Sequence, residues 1–227
     1  MTTEEKDRLE IVKEMCSLQD CTLQEIYDFI KGGKTSTESK TNELENGIYV
    51  VYADGKAQKF PGERLISTDA EVTGIAIKQG EHALTITLKD AADGEDVTLT
   101  VNEDNTEYDG YIDTYIDAVA DWNGKDNTDH LKEIGLNPAI NLKAGEYIPS
   151  VAEMYLIYTN RKAINAALRF VGGQELPGKW YLISTEHSAT YAWYLDLSNG
   201  TLFTWNPKAS IKGRVRPVSA FNFNSRS

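Results

Sequence analysis

The side chains best suited to catalysis or metal binding are scattered along this chain. Its three histidines, His82, His130 and His187, are far apart, and none sits in a metal-binding or catalytic motif. Its two cysteines, Cys16 and Cys21, are five residues apart near the N-terminus. That spacing gives neither a disulfide framework nor a zinc set, and a reduced pair is expected. Ser184 lacks the Gly-x-Ser-x-Gly elbow that presents a nucleophile. The acidic stretches DAADGED (90–96) and NEDNTEYDG (102–110) miss the spacing that wraps oxygens around calcium in an EF-hand. No metal and no cofactor is expected. Arg214 and Arg216, two apart, share one face of a strand. They could bind an anionic ligand, or they could be locked by carboxylates such as Glu186 or Glu153 through bidentate pairing. The second, scaffold role is the one expected.

What remains is binding chemistry. From Ser184 to Lys208 the chain reads STEHSATYAWYLDLSNGTLFTWNPK. Tyr191, Trp193, Tyr194, Phe203 and Trp205 are set there among small polar residues. Rings give rigid contact area at low entropy cost, and short polar neighbours supply hydrogen bonds.

Composition narrows the partners. The 227 residues are 41% apolar and 26% charged, enough for a sizeable core, and the formal net charge is −12. No concentrated basic run could displace counterions from a polyanion, so nucleic acid is not an expected partner. No apolar run approaches the ~20 residues that span a bilayer. The opening MTTEEKDRLE lacks the pattern of a signal peptide. The expectation is a soluble chain made in the cytoplasm, which could reach the outside within a particle that lyses its host.

The elements that must position the aromatic stretch follow from periodicity. Residues 3–15 and TLQEIYDFIK (22–31) carry helical stripes, with Thr2/Glu5 and Thr22/Glu25 as capping boxes. Residues 1–33 are therefore expected to be a helical arm, either solvated or serving attachment or oligomerisation. The polar stretch 34–46 is expected to be a linker, and 47–227 the binding domain. GIYVVYADGKAQKF reads as a hairpin turning at Asp54-Gly55. EVTGIAIKQ, ALTITLKDA and DVTLTVN read as further strands. YIDTYIDAVADWNG reads as a helix with an apolar stripe of Ile112, Tyr115, Ile116 and Val119. NTDHLKEIG is a shorter helix, and Ser150 with Glu153 caps the helix beginning IPSVAEM. Another helix carries Ile164, Ala167 and Leu168. WYLIST, TYAWYLDL, TLFTW and GRVRPVSAF return to strands. Strands, then helices, then strands give an α+β fold.

Alternation within the last hairpin places Trp193, Leu195 and Leu197 on the core face. Tyr194 and Asp196 fall on the other, and Thr201, Phe203 and Trp205 join them if Leu202 faces the core. On pattern alone that face could be open or covered by another element.

The pieces IPSVAEMYLIY, INAAL, YLISTEHS, AWYLDLSNG and RVRPVSAF, in order and with NGIYVVYADGK before them, resemble the C-type-lectin-like domain of variable proteins of diversity-generating retroelements, and of related gut-bacterial and phage proteins. The resemblance spans roughly residues 46–221. It departs from the usual Leu-Pro-Ser at Ile148-Pro149-Ser150, and from the usual Tyr-Trp-Ser-Ser-Thr-Glu at Tyr181–Glu186. It implies scaffold roles for Pro149, Ser150, Glu153, Ser184, Thr185, Glu186, Ala192, Trp193, Gly200 and the Arg214–Val218 run. It implies ligand contacts at His187, Tyr191, Tyr194, Asp196, Ser198, Thr201, Phe203, Trp205 and Asn206. The calcium-dependent sugar motif of true C-type lectins is absent; Trp205-Asn206-Pro207 is only a fragment of its second half. The sulfatase-activating enzymes of this fold use cysteines in the C-terminal half, where this chain has none.

The expected function is non-enzymatic recognition of a cell-surface protein or glycan, as a phage fibre, tip or related component. Repeated copies, such as a trimer, would supply avidity, with residues 1–33 joining copies or a virion partner. The alternative is a structural or decoration protein of a virion whose hairpin face packs on neighbouring subunits.

Overall fold

Two successive helices at 151–170 belong to different compact units of an α+β molecule. The computed structural model describes residues 44–62, 70–102 and 108–221. The expected helical arm, 1–33, and all but the last three residues of the expected linker lie outside the described residues. The region expected to be one domain comprises two units. One is formed by the described residues up to Leu88 with Arg161–Glu175 and Phe221. The other is formed by Lys89–Asn160 and Leu176–Ala220.

The first unit is an antiparallel sheet backed by a helix. Strands β1 (Gly47–Tyr52), β2 (Ala57–Phe60), β3 (Val72–Gln79) and β4 (His82–Thr87) lie in the order β2-β1-β3-β4. The Asp54-Gly55 turn forms as expected: Asp54 Oδ1 accepts from the Lys56 N–H at 3.1 Å. Alternating apolar residues send Ile48, Val50, Ile75, Ile77 and Ile86 into the interior. The helix that packs on β1 and β3 is Arg161–Phe170, here α4, with Ile164, Ala167 and Leu168 buried.

In the second unit, helices α1 (Tyr115–Val119), α2 (Gly124–Ile134) and α3 (Val151–Thr159) accompany a three-stranded antiparallel sheet. Its strands β6 (Trp180–Glu186), β7 (Ala192–Asp196) and β8 (Thr201–Phe203) lie in the order β6-β7-β8. A short antiparallel pair joins β5 (Glu146–Tyr147) to β9 (Val218–Ala220). The expected capping box starts α3: Glu153 Oε2 accepts from the Ser150 N–H at 2.8 Å, and the Ser150 side chain caps the helix in return. Gly124 is required beside it, because a Cβ there would lie 2.1 Å from Glu153 Oε2.

Three expectations are corrected here. DVTLTVN is not a strand; it contributes isolated bridges from Val97 to Gly213 and from Thr100 to Leu136. The helix expected over 111–124 contracts to α1, and its stripe is not a buried face, since Ile116 is 77% exposed. The cause is competition for backbone groups. Trp193 Nε1–H donates to the Ile112 carbonyl at 2.8 Å, the Ile112 N–H donates to the Glu186 carbonyl at 2.9 Å, and Thr114 then caps a late start. Finally, GRVRPVSAF is a strand only over β9.

Candidate functional site

The aromatic stretch lies wholly within the second unit, on β7, β8 and their flanks. The turn between the strands is built by side chains. Asp196 Oδ1 accepts from the Ser198 N–H, and Asn199 Oδ1 accepts from the Thr201 N–H, both at 2.8 Å. Gly200 has φ +77°, and a Cβ there would meet the Tyr158 ring at 2.6 Å. The Tyr155 hydroxyl donates to the Gly200 carbonyl at 3.1 Å, so α3 holds the tip. Burial, and then the neighbouring Tyr115 hydroxyl, push the Tyr155 phenol well above its ordinary range.

Register defines two faces. Leu182, Tyr194 and Phe203 form one cross-strand row, with Trp180, Asp196 and Thr201 beside them on the same face. Tyr181, Leu195 and Leu202 form a row on the opposite face. The alternation expected for the hairpin therefore holds within β7 and β8, but its consequence for Tyr194 does not. Tyr194 is only 3% exposed, and packs with Leu182, Ala192, Leu99, Leu131, Ile148 and Val215. That corrects the expectation that its ring stands toward solvent. Both faces of β6–β7 are covered: α3 also packs on these strands, and Leu195 and Tyr181 on the other face are fully buried. The Tyr194 hydroxyl accepts from Asn206 Nδ2–H, which turns that Asn206 group inward, and burial raises the Tyr194 phenol pKa.

The open part of this face lies toward the turn. Phe203 is 39% exposed and Trp180 40%, with ring centroids 4.6 Å apart at 56°. Tyr194 underlies both, 5.6 Å from Trp180 and 6.3 Å from Phe203. Trp180 was missed by sequence reasoning. It stands at the head of an apolar run, and only the pairing of β6 with β7 brings it beside Asp196.

Trp205 is separated from this group. Strand β8 ends at Phe203, and Trp205, 76% exposed, turns to meet His187 at 6.0 Å. His187 also meets the buried Trp193 at 5.5 Å and Tyr191 at 6.4 Å. Its Nδ1 is buried without a hydrogen-bond partner among the described residues. The His187 and Ser188 N–H groups both donate to the Tyr191 carbonyl, at 2.8 and 3.0 Å, so the loop folds back on itself. Ser198, Thr201 and Asn206 are exposed, and Asp196 is half-buried.

Beneath the site lies a buried charge cluster. Glu186 accepts from the Lys208 ammonium through Oε1, and its Oε2 lies 2.5 Å from His130 Nδ1. His130 stacks on Tyr108 at 3.7 Å, and Lys208 sits 5.7 Å over the Tyr111 ring. Glu186 and Lys208 flank residues 187–207, so their pairing closes the base of the whole candidate segment. Thr185 Oγ1–H donates to Asp121 Oδ2 at 2.6 Å, and accepts from the Val151 N–H at 3.0 Å. Burial raises the Glu153 carboxyl pKa, against the opposing effect of the hydrogen bonds it accepts from Ser150 and Tyr147.

Arg214 and Arg216 are paired with carboxylates, but with other ones than those expected. Arg216 Nε–H donates to Asp90 Oδ1 at 2.6 Å, and Arg214 Nε–H to Asp96 Oδ1 at 2.8 Å. Neither pairs with Glu186 or Glu153 in these contacts. Backbone bonds from Ala91 to Val215 and between Val97 and Gly213 lay the two segments side by side and set this pairing. Among the described residues no group of three His, Cys, Asp or Glu side chains could hold a metal ion, and no helix is long and apolar enough to cross a membrane. Comparison of the chain with models of known protein families, with curated proteins and with solved structures finds no match in any of the three.

Proposed function

We propose that this chain is a non-enzymatic recognition protein in which residues 47–227 form a C-type-lectin-like domain. In this reading it presents the turn end of the β7–β8 hairpin and the adjoining His187–Trp205 cluster to a molecule on a cell surface. It belongs to a phage fibre, tip or related component, where repeated copies raise a weak single contact to useful avidity. The observation that carries the reading is the exposure of Trp205 and Phe203 on a ribbon anchored from below. Large rings left in water on a rigid support favour a partner. The residues assigned to scaffold by the resemblance agree with it: Ser150, Glu153, Ser184, Thr185, Glu186, Trp193 and Arg216 are all buried. The assigned contacts at Asp196, Ser198, Thr201, Phe203 and Trp205 reach the surface.

The test is adsorption of the labelled full chain to intact cells of a gut-bacterial panel, for wild type and for Phe203→Ala/Trp205→Ala. Binding to a subset of strains, lost in a variant whose unfolding midpoint is unchanged, supports the reading. Equal adsorption by both proteins refutes it. Self-assembly lost in the variant, without any cell binding, would instead support a decoration role on neighbouring subunits.

A further inference from the structure

We infer that the Trp180–Phe203 shelf takes an uncharged saccharide, and that Trp180 is one of its specificity-determining residues. This rests on the recognition reading above and names the ligand class at one part of that surface. The shelf is composed for sugar. Its two half-exposed rings, tilted at 56° with centroids 4.6 Å apart, offer their remaining aromatic surface to the apolar C–H face of a pyranose. Behind them in the same cross-strand row as Trp180 stand Asp196 and Thr201. Asp196 uses Oδ1 for the Ser198 N–H. Its Oδ2 and the Thr201 hydroxyl have no partner among the described residues. An ionised carboxylate only accepts hydrogen bonds, so the ligand must bring donors, which sugar hydroxyls do.

Charge and size select among ligands. Asp196 is the only charged side chain in the two rows, and the whole chain is at −12. Both disfavour sialylated, sulfated or phosphorylated glycans. At roughly 150–250 Å² for a whole aromatic side chain, rings 40% and 39% exposed offer on the order of 150 Å² together. A stable protein–protein interface takes about 800 Å² from each partner, so the shelf matches one or two sugar rings better than a protein. The shelf is also rigid: Tyr194 is buried beneath both rings, and the turn is tied to α3. Little ordering then remains to oppose a small ligand.

The experiment is an array of neutral oligosaccharides of glucose, galactose, mannose and N-acetylhexosamines with their sialylated counterparts, probed with the labelled full chain, followed by titration of the best neutral binder. Expected are binding to neutral members, weaker binding to sialylated versions, and an affinity loss of about tenfold for Trp180→Ala and for Phe203→Ala. Trp180→Phe should recover most of that loss, and thermal midpoints should stay near wild type because both rings are partly exposed. Absence of any neutral binder, or titrations unaltered by Trp180→Ala and Phe203→Ala, overturns the inference. Cell adsorption that depends on Phe203 and Trp205 but survives periodate oxidation of the cells' glycans would also overturn it, while leaving the recognition reading intact.

Discussion

The pairing of Glu186 with Lys208 makes the strongest quantitative prediction. Both side chains are sealed from water, so solvent screening does not soften their separation. Lys208→Met keeps the volume and removes the ammonium. It leaves Glu186 charged and buried, held among the described residues only by His130 on its other oxygen. Removing one member of a buried pair costs about 3–5 kcal/mol, and the surviving His130 contact sets the expected loss near ~3 kcal/mol. At roughly 2–4 °C per kcal/mol for a chain of this size, the thermal midpoint should fall by about 6–12 °C. Glu186→Gln should cost a similar amount, because it strands the ammonium. The double variant carries neither charge and should recover much of the loss, giving an interaction energy of ~2–3 kcal/mol in a double-mutant cycle. Urea unfolding followed by tryptophan fluorescence measures it cleanly: Trp122, Trp180, Trp193 and Trp205 all lie in the second unit, so the signal reports that unit. If the single losses add to within ~0.5 kcal/mol in the double variant, the two groups do not act as a pair, and the account of how residues 187–207 are anchored is wrong.

Tyr194→Ala should destabilise the second unit by about 3–5 kcal/mol, as for other large buried aromatic truncations; a loss under ~1 kcal/mol in the same urea assay would mean that the ring is solvent-facing after all. Glu153→Gln tests the buried carboxyl. Its folded pKa is raised by burial above the ordinary 4.5, so the penalty of holding a charge there is present above the folded pKa and disappears as pH falls through it toward 4.5. Wild type should therefore gain stability relative to Glu153→Gln as pH is lowered from 7 to 4.5, and a difference that is flat or of opposite sign in unfolding curves would refute the assignment.

The legible features were those whose signals are local. The Asp54-Gly55 hairpin, the Ser150/Glu153 cap and the strands around 192–203 each depend on residues within a few positions of one another. What escaped needs partners distant in the chain. Tyr194 lies inward because Leu99, Leu131 and Val215 cover its face, a fact that alternation within β7 cannot express. Arg214 and Arg216 look alike in any strand pattern, and their carboxylates come from residues 90–96, more than a hundred positions earlier. Trp205 parts from Phe203 because β8 stops after three residues, where a longer strand would have kept them together. Trp180 became a site residue only through the register of β6 against β7.

The depth gradient along this one ribbon has an evolutionary consequence. At Ala192, Tyr194 and Leu195 any replacement must be absorbed by tightly packed neighbours, and Gly200 has no room for a side chain against Tyr158. At Ser198, Thr201 and Trp205 a replacement meets mostly water, and at Phe203 it meets water on one side and the Trp180 ring on the other. Substitutions can therefore accumulate in the second group while the first preserves the chain's ability to fold.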